Sequence, residues 1–505
     1  MRRQLGLLAL GAVAVAYAWP MQVTGHNQNA HYALVKALER GVPYIDETLG
    51  ETGELQSQDV ARHEGHLYTV KAPGLGMAAT PTYAAVERSG ARTTGDPTRV
   101  LWMLNLFTSV VATAILLLLV RDLAERVTTG TGAATAAILG LGALTLPFAT
   151  LFFSHALGTT LAFACFWLLW RARDGASART FVLAGALAGL AVTAEHPVVW
   201  IVPLLAAYGA FGTNALRRLA AFAAGAGAGV LPLLAFNVWA FGDPLHTPYE
   251  DYWRERPDFD TFSLPTADEL SKILFSSLGL LVLAPVLAAG AAGVILMYRR
   301  GLRAEALVCG VVPLFLVLYF SANSAFGGLG PPRYLTPIMP FALLPLAAAL
   351  GRFPFATLSL AAVTVFQAVV MTATGPLAAY DGAWLERAAD RLFVTTAASL
   401  VGITGWYAIL PFFAAATAAA LLALASLPLR RGTLADAGLA VAGLGAWALV
   451  ALASYNDWGR TPGTAYVLTT VGLVAGAAVA FALLFRRSSV VPAGAAPMSR
   501  SAKPS

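Results

Sequence analysis

The sequence predicts an all-helical polytopic membrane protein, a bundle of about 12–14 transmembrane helices with one long loop after the first. Two observations carry that prediction. Of 505 residues 58% are hydrophobic and 12% charged, with a mean hydropathy of +0.68, far more apolar surface than a soluble domain buries. Arginines also recur at alternate ends of the apolar runs, as membrane topology requires. The net charge of +6, from 33 basic and 27 acidic residues, comes largely from those arginines and gives no reason to expect a nucleic-acid partner. Cys165 and Cys309 lie within apolar stretches, where a thiol behaves as a small hydrophobe, so no disulfide, zinc or haem is expected from them.

The first span follows Met1-Arg2-Arg3 and runs to about Val23, although Ala16-Tyr17-Ala18 also offers a small-x-small cleavage site. Further spans are predicted at about 99–120, 132–152, 155–170, 180–194, 197–212, 219–241, 273–297, 305–322, 334–350, 354–374, 406–428, 434–454 and 464–485. Every second loop is basic: Arg121 and Arg126, Arg171 with Arg173 and Arg179, Arg217 and Arg218, Arg299 to Arg303, Arg352, Arg430 and Arg431, Arg486 and Arg487. Those loops, and with them both termini, are predicted to be cytoplasmic. The tail 488–505, rich in Ser, Pro, Ala and Gly, reads as disordered.

Most ionisable residues other than arginine fall on the outer side. In the long loop 25–98, His26 to Asn29 supply N-caps to a helix whose Ala30, Ala33, Leu34, Ala37 and Leu38 share a face, with Gly41 ending it. It reads as a helix lying at the interface. Asp46, Asp59 and Lys71 follow, Lys71 two residues ahead of Pro73-Gly74. His155 opens a span, Glu195-His196-Pro197 fills a tight connection, Tyr249 to Trp253 is acidic and aromatic, and Arg333-Tyr334 follows a Gly-Pro run.

A lipid-linked phosphate substrate keeps its tail in the bilayer and its head at the outer surface. Such a site needs cations for the phosphate and a carboxylate for proton transfer. Lys71 and Arg333 suit the first role and Asp46 or Asp59 the second. His155, His196 and Glu195 can hydrogen-bond or hold a divalent metal ion, although no spaced metal motif is present. Taken singly, each residue has a plainer reading, Lys71 as a snorkelling cation and either aspartate as a solvated loop carboxylate.

Four segments resemble the GT-C superfamily of membrane glycosyltransferases that use polyprenyl-phosphate sugars, particularly the bacterial protein-mannosyltransferase and aminoarabinose-transferase branch. They are Gly41 to Asp46; Gly65-His66-Leu67-Tyr68-Thr69-Val70-Lys71-Ala72-Pro73; Phe236-Asn237 with Phe241-Gly242-Asp243-Pro244; and Gly330-Pro331-Pro332-Arg333-Tyr334-Leu335. The resemblance implies a catalytic core over 1–375, with the spans in 376–487 as additions to it. It implies Asp46 as catalytic carboxylate with Asp59 as runner-up, and Lys71 as a ligand of the lipid phosphate. Tyr68, His155, Glu195, His196, Tyr249 and Arg333 complete the expected substrate-binding set, and Asp46 and His155 are the candidate ligands of a divalent metal.

The chain departs from the family where Asp-Glu often opens the loop and an acidic residue often opens the fourth span. Here those places hold His26 to Asn29 and His155. The implied activity is transfer of a hexose or pentose from a polyprenyl-phosphate donor to a glycan, lipid or protein acceptor of a bacterial cell envelope, on the outer face of the cytoplasmic membrane. The alternative is a multi-pass transporter or lipid flippase, which internal repeats and polar groups near the bilayer midplane would mark.

Overall fold

The computed structural model describes residues 1–453 apart from Val23, 50–52, Glu54, 91–96, 174–176, Thr213, 257–263, 323–331, 378–382 and 429–432. The expected last span near 464–485, the tail and Gly330-Pro331 lie outside the described residues. The chain is a helical, multi-pass membrane protein. Six described helices are long and apolar enough to cross a bilayer: Thr98–Val127, Ala215–Phe241, Arg303–Ser321, Pro354–Thr374, Gly405–Ser426 and Leu434–Ala453. Two bent pairs, Ala267–Leu283 with Val286–Arg299 (85°) and Arg333–Leu343 with Leu346–Arg352 (48°), raise the count to eight.

Several other expected spans are shorter or broken. Gly132–Leu141 stops at Gly142, whose added Cβ would lie 2.7 Å from the Ile138 carbonyl, and Thr145–Ala149 resumes the path. Proline marks the other breaks, with Pro285 at the 85° bend, Pro345 at the 48° bend and Pro197 before Val202–Ala210.

In chain order the elements that position the polar end of the bundle are α1 (Arg2–Ala18), α2 (His26–Glu39), α3 (Asp46–Leu49), the hairpin β1 (Val60–His63) and β2 (His66–Thr69), α4 (Gly74–Arg88), α5 (Thr98–Val127), α6 (Gly132–Leu141), α7 (His155–Arg171), α8 (Ala178–Ala194), α9 (Ala215–Phe241) and α10 (Pro248–Arg254). Helix α1 packs along Gly405–Ser426, and Pro20-Met21 pairs antiparallel with Thr395-Thr396. The C-terminal helices therefore share the core of the first one.

The tightest helix pair is α8 on α9. Gly185 and Gly189 face Gly225 and Gly229, and a Cβ on any of the four would fall 1.9–2.3 Å from a carbonyl oxygen of the other helix. Only glycine permits this backbone contact, and two small-xxx-small stripes provide it where apolar side chains alone gain little from leaving lipid. Thr193 adds hydrogen bonds to the Gly189 and Gly229 carbonyls at 3.2 Å. The contact fixes the end of α8, and hence Glu195, relative to α9.

At the opposite end, carboxylates cap helices. Glu125 accepts from the amides of Gly130 and Gly132 ahead of and in α6 (2.6 and 3.0 Å), and Asp436 from those of Phe355 and Ala356 (2.9 and 3.0 Å). Each satisfies otherwise orphaned first-turn donors.

Helix α2 differs from the expected interfacial stripe. From Asn27 to Val35 every residue is buried, on all sides of the helix. Helices α3 and α4 and strand β2 cover it, Gln28 accepts the Phe152 amide at 3.1 Å, and Asn29 donates to the Gln56 carbonyl at 2.9 Å. Its polar first turn docks it inside the loop domain instead of facing water.

Candidate functional site

The site is assembled around the open end of a four-residue hairpin. Glu64 and Gly65 both have positive φ (47° and 87°) and form a two-residue turn that pairs His63 with His66 and Val60 with Thr69. That register places Asp59 and Lys71 side by side just beyond the paired strands. The Val70 amide donates to the Asp59 carbonyl (3.1 Å), the Asp59 amide to Ser57 Oγ (3.0 Å), and the Lys71 amide to Thr69 Oγ1 (3.1 Å). The side chains meet as an ion pair, Lys71 Nζ to Asp59 Oδ1 at 3.0 Å, with the lysine 8% and the aspartate 20% exposed.

The chain after Lys71 runs straight into the bundle. Pro73 caps α4, and a Cβ on Gly74 would sit 2.6–2.8 Å from backbone atoms of Thr193 and Ala194, so glycine lets the first loop touch the end of α8. The next residue, Glu195, is buried and accepts from the Ser154 hydroxyl and from His155 Nδ1, the latter at 3.0 Å. Gly158, one turn into α7, makes room for it, since a Cβ there would lie 2.5 Å from Glu195 Cβ. The His155 ring also meets Tyr334 edge-on at 5.6 Å, His196 meets Tyr249 at 6.0 Å, and the Arg333 guanidinium lies over the Tyr334 ring at 5.1 Å.

His31, on α2, completes the cluster. It is wholly buried with Phe152 edge-on at 6.1 Å, and among the described residues neither of its ring nitrogens, nor His155 Nε2, has a hydrogen-bond partner. The neutral His31 ring therefore has one N–H to donate and one bare nitrogen to accept.

The electrostatics tie these groups together. Burial works to raise the Asp59 carboxyl, but the Lys71 ammonium, the hydrogen bond it makes, Arg333 and His31 prevail and hold it below the usual aspartate value. Burial works to lower the Lys71 ammonium, yet Asp59 and the nearby Tyr334 and Tyr249 phenols raise it. Burial with the nearby Lys71 charge pulls His31 down to about 3, against the opposing pull of Glu195 and Asp59, so it is neutral at pH 7. Glu195 falls to about 2, because His155, Ser154 and His31 together outweigh its burial. The cluster thus holds two carboxylates, a lysine, an arginine, the neutral His31 ring and the His155 ring, a set able to receive an anion and to take up a proton.

The remaining candidates sit elsewhere. Asp46 accepts the Leu67 amide at 2.6 Å and meets His66 Nδ1 at 2.5 Å, with His66 stacked on Tyr44 at 4.2 Å. It latches the turn end of the hairpin, roughly 10 Å or more along the strand from Lys71. Tyr68 packs between Phe241 (4.8 Å) and His63 (6.2 Å). Among the described residues Asp46 and His155 share no partner, and those whose donor atoms do converge as metal ligands are His63, His246 and Asp251. His31, His63 and His246 were not singled out from the sequence. The one available signal was the scarcity of histidine, seven in the chain, which makes each worth placing.

No protein-family model matches the sequence, and no curated protein does. Among solved structures the chain is similar to apo ArnT from Cupriavidus metallidurans, with 17% identity, 87% of this chain and 76% of that one covered, and a TM-score of 0.46. It is similar also to ArnT bound to undecaprenyl phosphate, at 15% identity over 87% and 76% of the two chains, TM-score 0.44. The apo Archaeoglobus fulgidus oligosaccharyltransferase matches at 13% identity and TM-score 0.44, over 86% of this chain but 56% of its own. The chemistry therefore has to come from the residues.

Proposed function

We propose that the chain transfers a sugar from a polyprenyl-phosphate donor to a hydroxyl or amine acceptor at the outer face of the cytoplasmic membrane. The observation that carries this reading is the buried Lys71–Asp59 pair with Arg333 beside it. An ion pair so enclosed contributes little to folding beyond what apolar side chains would, and a cation kept at that cost is of use to an anionic ligand.

When the donor binds, its phosphate takes Lys71 and Arg333, and Asp59 loses its cation. A carboxylate freed of its partner is a stronger base, so donor binding itself prepares Asp59 for the acceptor. The acceptor oxygen or nitrogen then attacks the anomeric carbon, Asp59 accepts its proton, and the carbon–oxygen bond to the phosphate breaks with both electrons leaving on the polyprenyl phosphate. Negative charge grows on that leaving group, where Lys71 and Arg333 stabilise it. His31 and His155 hydrogen-bond sugar or phosphate oxygens. Glu195 holds His155 in one ring orientation, and Asp46 shapes the hairpin.

Retention of undecaprenyl phosphate by the detergent-purified protein, read by native mass spectrometry, tests the phosphate site. Wild type is expected to keep the lipid, while Lys71→Ala and Arg333→Gln release it. Equal retention by all three proteins overturns the assignment of Lys71 and Arg333.

A further inference from the structure

We propose that His63, His246 and Asp251 form a binding site for one zinc-type divalent cation, which staples α10 to the hairpin of the first loop. This stands apart from the sugar-transfer reading and does not depend on it.

His63 ends β1, while His246 and Asp251 come from the segment after α9, more than 180 residues later in the chain. His63 Nδ1 lies 3.0 Å and His246 Nε2 2.7 Å from the same atom, Asp251 Oδ2, and all three donor atoms fall within 4.8 Å of one another. Neutralising Asp251 does not need two imidazoles, because Arg254 already binds its other oxygen, Oδ1, at 2.9 Å. Two histidines aimed at one oxygen are instead the donor set of a borderline cation, two nitrogens and a carboxylate with a fourth position left open. Metal–donor bonds of about 2.0–2.1 Å in a tetrahedron put neighbouring donors roughly 3.3 Å apart, so each histidine-to-Asp251 separation need open by only a few tenths of an ångström.

The surroundings match such a centre. Arg254 orients the carboxylate, and Glu250 Oε2 stands 3.6 Å from His246 Nδ1, the ring nitrogen that would not bind metal. Phe241 packs on both rings, at 5.3 Å from His63 and 4.7 Å from His246, and shields them from water. Helix α10 has only seven residues, but it carries Tyr249 and Tyr252 toward the Lys71–Asp59 pair. A cation here would lock that short helix in place.

The test is metal content and the cobalt spectrum of the detergent-purified full chain, stripped with chelator and then dialysed against Zn²⁺ or Co²⁺. Wild type should hold one metal per chain and show the visible bands of tetrahedral cobalt. His63→Gln and Asp251→Asn should lose both, and Glu250→Gln, which keeps the helix cap, should bind at least tenfold more weakly. Because His63 is partly exposed at the turn end of the hairpin while Asp251 is buried, His63→Gln should fold even if Asp251→Asn does not. Wild type without bound metal or cobalt bands overturns the proposal and leaves a hydrogen-bonded His–Asp–His triad. Metal lost in Asp46→Asn or His155→Gln but retained in His63→Gln overturns it too, and moves the site to those residues.

Discussion

Replacing Lys71 with methionine should destabilise the protein strongly, and replacing Asp59 as well should largely undo the damage. The two charges are 3.0 Å apart and mostly shielded, 8% and 20% exposed. At an effective dielectric of about 20 their attraction is roughly 5 kcal/mol. Lys71→Met strands the Asp59 carboxylate, and stranding one member of a buried pair typically costs about 3–5 kcal/mol. Arg333 and His31 lie near enough to Asp59 to influence it, and the arginine softens the loss toward the lower figure. In Lys71→Met/Asp59→Asn no charge is left uncompensated, and stability should return to within about 2 kcal/mol of wild type. Unfolding in mixed micelles, followed by tryptophan fluorescence, gives the three values. A Lys71→Met protein as stable as wild type, or a double variant whose loss is the sum of the two single losses, would refute the buried-pair argument.

Three further outcomes are expected. Gly158→Ala puts a methyl group 2.5 Å from Glu195 Cβ, which must displace Glu195 and release His155; sugar transfer should fall at least tenfold, whereas Gly227→Ala, with open space around it, should behave as wild type in the same membranes. Gly189→Leu forces α8 and α9 apart and should abolish stable, monodisperse protein on size-exclusion chromatography. His31 has its folded pKa depressed to about 3, so between that value and about 6.5 the unfolded chain binds a proton that the folded one does not. Stability should therefore fall with falling pH across that window, by up to about 1.4 kcal/mol per unit from this group, and His31→Gln should flatten the slope; an unchanged slope in the variant would show that His31 does not carry it.

The spans were legible because an apolar run of some twenty residues has few other uses, and arginines mark its ends. What hydropathy could not reveal were the breaks, since Ala284-Pro285-Val286 and Leu344-Pro345-Leu346 read as continuous apolar sequence although proline bends both. The fully buried α2 was hidden for the opposite reason. His26-Asn27-Gln28-Asn29 looks like a solvated cap, and only tertiary contacts with Phe152 and Gln56 reveal that these amides satisfy other backbone groups. The Lys71–Asp59 pair was closer to hand, because a two-residue turn at Glu64-Gly65 implies its register; four-residue strands are too short for alternation to announce them. The meeting of His63 with Asp251, across 188 residues, has no local signal at all.

The most direct test of the central claim is sugar transfer in membranes from a panel of radiolabelled polyprenyl-phosphate sugars, comparing wild type with Lys71→Ala, Asp59→Asn and Asp46→Asn at equal expression. The account predicts transfer by wild type from at least one donor, loss by a hundredfold or more in Lys71→Ala and Asp59→Asn, and a milder loss in Asp46→Asn. Full activity in Lys71→Ala and Asp59→Asn, or lipid translocation by wild type with no transfer from any donor, would contradict it.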